Sequence, residues 1–137
     1  MLGGIAGHAG IFTNTNDLAK IFQMYLQKGE YGGKRYINAS TLTLYTKQAH
    51  PRSRNRRALG FDRPAKNAKK RSVCASASQK SFGHTGFTGT IAWVDPEYNF
   101  VYIFLANRIH PDIENRKFID MNIRPKVQEI FYEAIRN

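Results

Sequence analysis

Residues 88–107 constrain this chain more than any other stretch. Thr88 to Val94 is strand-like, Asp95-Pro96-Glu97-Tyr98-Asn99 is built of turn formers, and Phe100 to Asn107 is almost continuously apolar. Two such runs across a short polar turn predict an antiparallel hairpin, with Trp93, Phe100, Tyr102 and Phe104 in its core. The second strand, apolar on both faces, is expected at the sheet centre. A hairpin is marginal alone in water, so the rest of the chain has to supply covering layers.

Helical periodicity supplies them. Asn14 is a good N-cap, Asp17 favours the helix start, and Leu18, Ile21, Phe22, Tyr25 and Leu26 recur at helical spacing until Gly29, predicting a helix over 15–28. Gly32-Gly33 makes a turn before a short extended piece at Lys34 to Ile37. Asn38 then caps a second helix to about Gln48, with Leu42 and Tyr45 inward. At the far end Val127, Ile130, Phe131 and Ala134 mark a helix that covers one face of the hairpin. The order predicts an α+β unit, an antiparallel sheet flanked by helices, with only two or three strands in hand and therefore incomplete. An exposed sheet edge offers a route to self-association.

Charge is concentrated in one segment. The chain carries +11, yet ten of its 21 Lys and Arg fall between His50 and Lys80, where Asp62 is the sole acid. Within that stretch Ala58 to Asp62 reads as a strand, while Lys66 to Ser81 is polar, cationic and low in complexity, the composition of a mobile loop. Polyanion binding through Arg52 to Arg71 is one function this composition allows. Phe61 is the segment's only aromatic, and the lack of aromatic interleaving argues against nucleic acid as the partner.

Other classes are narrowed by simple counts. Cys74 is the single cysteine, which excludes an intrachain disulfide and a cysteine-based zinc cluster. His8, His50, His84 and His110 show no paired metal-ligand spacing, so neither a metal nor any other cofactor is predicted. The longest apolar run, Phe100 to Ala106, is far short of the roughly 18 residues of a membrane span. The start, with Gly3, Gly4, Gly7 and Gly10 directly after Met1, has no signal-peptide pattern and reads as the middle of a chain.

The chemistry-bearing stretch is Ser81-Phe82-Gly83-His84-Thr85-Gly86-Phe87-Thr88-Gly89-Thr90. Three glycines and a histidine ahead of an apolar strand allow close approach of a ligand to backbone N–H groups. Gly83-His84-Thr85-Gly86, then a strand and an Asp-Pro-Glu turn, resembles the third motif of the serine β-lactamase and penicillin-binding-protein superfamily. The likeness is to the branch of class C β-lactamases, D-amino-acid peptidases and esterases. Gly3-Gly4-Ile5-Ala6-Gly7-His8-Ala9-Gly10-Ile11-Phe12 with Asn16-Asp17-Leu18-Ala19 is similar to that branch's glycine-rich loop and following helix. Asn107-Arg108, His110-Pro111 and Arg124-Pro125 resemble the end of such domains.

The resemblance implies a serine hydrolase working through an acyl-enzyme on a small-molecule or peptide substrate, at a periplasmic or cell-envelope location. His84 would hold a substrate carboxylate or assist proton transfer, Thr85 would offer its hydroxyl, and Gly86 would keep the strand edge open. The backbone N–H of Phe87 would be one oxyanion donor, and Gly7 and His8 would line the substrate site. None of Ser40, Ser53, Ser72, Ser76, Ser78 or Ser81 has a lysine three positions on, so the Ser-x-x-Lys nucleophile is not in this sequence. Tyr36-Ile37-Asn38 matches the second motif, Tyr-x-Asn, by coincidence, with Asn38 as a helix cap. Residues 1–137 are therefore expected to be the C-terminal part of one such domain, carrying a flexible basic insert at about 50–80. Its partner would be the upstream half, and alone the chain would be inactive. A non-catalytic scaffold that kept the fold is the other alternative.

Overall fold

A computed structural model describes residues 6–7, 9–53, 55–65, 67 and 72–136. The chain order is helix α1 (Thr15–Leu26), strands β1 (Glu30–Tyr31) and β2 (Lys34–Arg35), helix α2 (Ala39–Thr46), strands β3 (Phe82–Thr85), β4 (Ile91–Asp95) and β5 (Phe100–Phe104), and helices α3 (Lys117–Asp120) and α4 (Ile123–Arg136). This is the α+β arrangement expected, with an antiparallel three-stranded sheet of order β3-β4-β5.

Local chemistry accounts for the elements. Asn14 caps α1 by accepting from the Asp17 N–H at 3.0 Å. The helix stops where Lys28 (φ 56°) and Gly29 (φ 92°) turn left-handed. Gly32 and Gly33, both at positive φ, make the tight turn between β1 and β2. Asn38 occupies the N-cap position of α2, but its side chain makes no capping bond. Leu42 is buried as expected; Tyr45, expected inward, is exposed.

The sheet is sandwiched between helices. On one face Phe22, Phe82, Ala92 and Val94 form a core with Leu18, Tyr25 and Leu26 of α1. On the other, Ile91, Trp93, Tyr102 and Tyr132 pack with Val73, Cys74 and Ala77. The alternation along β4 makes it the strand buried on both sides, and it lies in the centre. The sequence argument assigned that place to Phe100 to Asn107. Instead β5 is outermost among the described strands, and its residues are mostly half-buried.

Three other expectations change. Ala58 to Asp62 is not a strand; only Asp62 bridges to Gly83, by N–H to carbonyl bonds in both directions (2.7 and 3.1 Å). The described end of the basic insert is not a solvated loop, because Val73, Cys74 and Ala77 belong to the core. In α4 the buried residues are Gln128 and Tyr132; of the expected apolar residues Val127 packs on the core and half-exposed Phe131 lies against the rings of Phe100 and Tyr102, whereas Ile130 is largely exposed. The Tyr132 hydroxyl donates to the buried Asp95 carboxylate (2.6 Å), and Gln128 accepts from the Cys74 N–H (3.0 Å). These two polar bonds add buried, long-range partners beside the apolar contacts of the same helix.

The second core has a consequence at alkaline pH. Burial pushes the Cys74 thiol from 9.0 up to about 12, and the Tyr102 phenol from 10.0 up to about 12. The folded state therefore keeps protons that the unfolded chain releases from about pH 9 upward, so stability falls as pH rises between about 9 and 12, by at most about 1.4 kcal/mol per pH unit per group. Denaturant midpoints measured from pH 8 to 11 are expected to fall, and in Cys74→Ala to begin falling later, in the tyrosine range. A flat profile in the parent chain contradicts this core.

Candidate functional site

The glycine-histidine box precedes the apolar strand β4, as expected, and its Gly83, His84 and Thr85 themselves lie on strand β3. Gly83 has to be glycine, because a Cβ there would collide with the Ala92 carbonyl and the Trp93 ring of β4. Its neighbour Asp62 bridges only the start of β3, so among the described residues the edge at His84 and Thr85 has no strand partner. That edge faces a cleft of about 630 Å³ between the glycine-rich loop, α1 and the sheet. Gly7, Gly10, Leu18, Phe22, His84 and Thr85 are among the residues lining it. Gly7, Thr85 and Gly86, the last two from the glycine-histidine box, all line this cleft. His8, also expected there, lies outside the described residues.

His84 is exposed and held at both nitrogens. Nδ1 is 2.8 Å from the Thr85 carbonyl, and Nε2 is 3.1 Å from Nη1 of Arg57. A guanidinium only donates and a carbonyl only accepts. The two contacts match a tautomer that donates from Nδ1 and accepts at Nε2.

Arg57 belongs to the basic segment, and the arginines around it explain how that segment reaches β3. Arg56 pairs with buried Asp62 at 2.7 Å and donates from Nε to the Arg63 carbonyl (2.8 Å). Arg63 donates to the carbonyls of Thr46 (2.7 Å) and Gln79. Buried charge is retained where it is paired, and here the pairs fasten the segment between α2 and β3.

After β3 the chain turns. The Gly86 carbonyl accepts from the Gly89 N–H (3.1 Å), and the Gly86 N–H donates to the Thr90 carbonyl (2.8 Å). In a trans peptide the N–H opposes the carbonyl, so fixing the Gly86 carbonyl inside the turn directs the Phe87 N–H outward. No acceptor among the described residues takes that N–H. Arg108 donates from Nε to the Phe87 carbonyl (2.8 Å) and from its N–H to the Thr88 carbonyl (2.8 Å). Arg124 donates to the Thr90 carbonyl (3.1 Å).

Arg57, Arg108 and Arg124 escape sequence reasoning as site neighbours. Arg57 is one cation in a run without periodicity, and the other two stand in the polar connection and at the start of α4. Among the described residues no group of His, Cys, Asp or Glu could hold a metal, and no helix is long and apolar enough to cross a membrane.

The sequence model of the Beta-lactamase family matches residues 2–121. The chain is 34% identical over 126 residues to N-acetylmuramyl-L-alanine amidase of Bacillus subtilis, covering 92% of this chain and 27% of that protein. It is 32% identical over 112 residues to a putative D-alanyl-D-alanine carboxypeptidase of Escherichia coli, covering 82% of this chain and 25% of that one. A similarly named protein of Salmonella gallinarum is 32% identical over 116 residues, 85% of this chain and 26% of its own length. The chain thus spans about a quarter of the length of these relatives.

Proposed function

The chain belongs to the Beta-lactamase family, and on that premise we propose that it is the substrate-binding, C-terminal part of a serine hydrolase whose Ser-x-x-Lys nucleophile comes from preceding sequence. The observation that carries this reading is the open edge of β3, where His84, Thr85 and Gly86 line one cleft and the outward Phe87 N–H follows directly after Gly86.

In the complete protein the serine oxygen adds to a carbonyl carbon. Its oxyanion sits between the Phe87 N–H and the serine's own N–H, the leaving group departs with a proton, and water then releases the acid and frees the serine. The β3 edge accepts the substrate as an added strand. Thr85 offers its hydroxyl, and His84 with Arg57 beside it faces a substrate carboxylate or passes a proton. The names of the relatives, an amidase and putative carboxypeptidases, favour an amide or peptide bond over an ester. The outer edge of β5, which has no strand partner among the described residues, supports a sheet completed by the preceding half of the domain.

The polyanion reading loses support because Arg56, Arg57 and Arg63 are engaged within the chain. Labelling with a serine-directed acylating probe, developed at the end of the Discussion, separates the hydrolase from a non-catalytic scaffold.

A further inference from the structure

We propose that Arg108 is a positioning residue for the oxyanion donor: it clamps Phe87 so that the residue's N–H is held toward the cleft. This rests on the reading of the site as a serine hydrolase. Three contacts converge on two consecutive residues. The Arg108 Nε–H bonds the Phe87 carbonyl, its guanidinium carbon lies 4.6 Å from the centre of the Phe87 ring, and its own N–H bonds the Thr88 carbonyl.

Without the clamp Phe87 would be loose, since the residue is 69% exposed. The opposite side of the turn is already fixed. Gly86 is tied to Thr90 and Gly89, and Gly89, at φ 104°, lies against Phe118, where an added Cβ would fall 3.1 Å from the ring. Arg108 supplies the remaining restraint. A preorganised donor contributes to rate only when it stays within hydrogen-bond reach of the position the oxyanion takes. Planar guanidinium chemistry suits the task, because one group both donates in its plane and stacks through its face.

The test uses the protein with its preceding sequence. Losing an oxyanion donor costs roughly 100- to 1,000-fold, and a misplaced donor less, so Arg108→Ala is expected to lower kcat about 10- to 100-fold. KM should stay nearly constant, because the interaction strengthens in the transition state. Affinity for a boronic acid that forms a tetrahedral adduct on the serine should fall in parallel with kcat. Arg108→Lys, which can still reach the Phe87 carbonyl but has no planar face, should recover part of the loss, and Phe87→Leu should lie between parent and Arg108→Ala. A folded Arg108→Ala protein with unchanged kcat and boronate affinity overturns the assignment, as does a rise in KM at constant kcat. If the parent protein forms no acyl-enzyme, the hydrolase reading falls and this inference with it; if the parent acylates and Arg108→Ala keeps the parent's kcat and boronate affinity, the inference alone falls.

Discussion

Replacing His84 by alanine in the protein with its preceding sequence is expected to lower kcat/KM by roughly 100- to 10,000-fold, the range over which a positioned acid, base or hydrogen-bonding group acts. The thermal midpoint should hardly move. The His84 side chain is exposed, its Nδ1 bond is to the neighbouring residue, and the β3–β4 ladder runs through backbone groups. Arg57→Ala serves as the companion variant. It removes the donor to Nε2, so nitrogen NMR of the imidazole is expected to show the Nδ1–H tautomer clearly in the parent and a mixture in Arg57→Ala. An active His84→Ala enzyme would remove this ring from the chemistry whatever its tautomer.

The second large effect is on stability. Asp95 is fully buried, and its carboxylate accepts four bonds: from the Ser78 N–H (2.8 Å) and hydroxyl (2.6 Å), the Tyr132 hydroxyl (2.6 Å) and the Glu97 N–H (3.1 Å). One side chain thereby ties the end of β4, the segment before β3 and the middle of α4. Asp95→Ala leaves those donors without an acceptor, at about 1–3 kcal/mol for each that stays dry. Some are rehydrated, so a loss of about 3–5 kcal/mol is expected in denaturant titration, comparable to breaking a buried ion pair. That is a large share of a typical domain's stability. Tyr132→Phe removes one donor and keeps the carboxylate three-fold bonded, so about 1.5–3 kcal/mol is expected. A loss below about 1 kcal/mol in Asp95→Ala would show that the network does not bind these elements together.

The same network shows where sequence reading stops. Helix α1 was legible to its cap because Asn14, Asp17 and a regular apolar stripe agree with one another. Helix α4 was legible in existence and in its Val127 and Phe131 contacts, but not in the polar side chains it buries. A tyrosine and a glutamine face inward there because their partners, Asp95 and the Cys74 N–H, lie far away in sequence. The centre of the sheet was misassigned for a related reason. Apolarity marked Phe100 to Phe104 as buried on both faces, but β4 between two partners carries that burial, and hydropathy alone does not reveal which strand has neighbours.

The site was legible in its motif and not in its supports. Gly83 to Gly86 stood out as glycines around a histidine, and the backbone clash at Gly83 explains one of them physically. Charge density suggested a solvated insert from 50 to 80, whereas Arg56, Arg57 and Arg63 are directed to particular acceptors and Val73, Cys74 and Ala77 to the core. Composition counts charges; only the fold shows which of them are spent inside the chain.

In the proposed function this chain supplies a binding strand and one oxyanion donor to a nucleophile carried by preceding sequence. Mass spectrometry after exposure to a serine-directed acylating probe tests it most directly, comparing residues 1–137 with the same chain extended by its upstream coding sequence. The expected result is no adduct on residues 1–137 and a single adduct on the extended protein, mapping to an upstream serine followed three residues later by lysine. An adduct on one of the serines of residues 1–137, or an extended and folded protein that takes up no probe, would contradict the account.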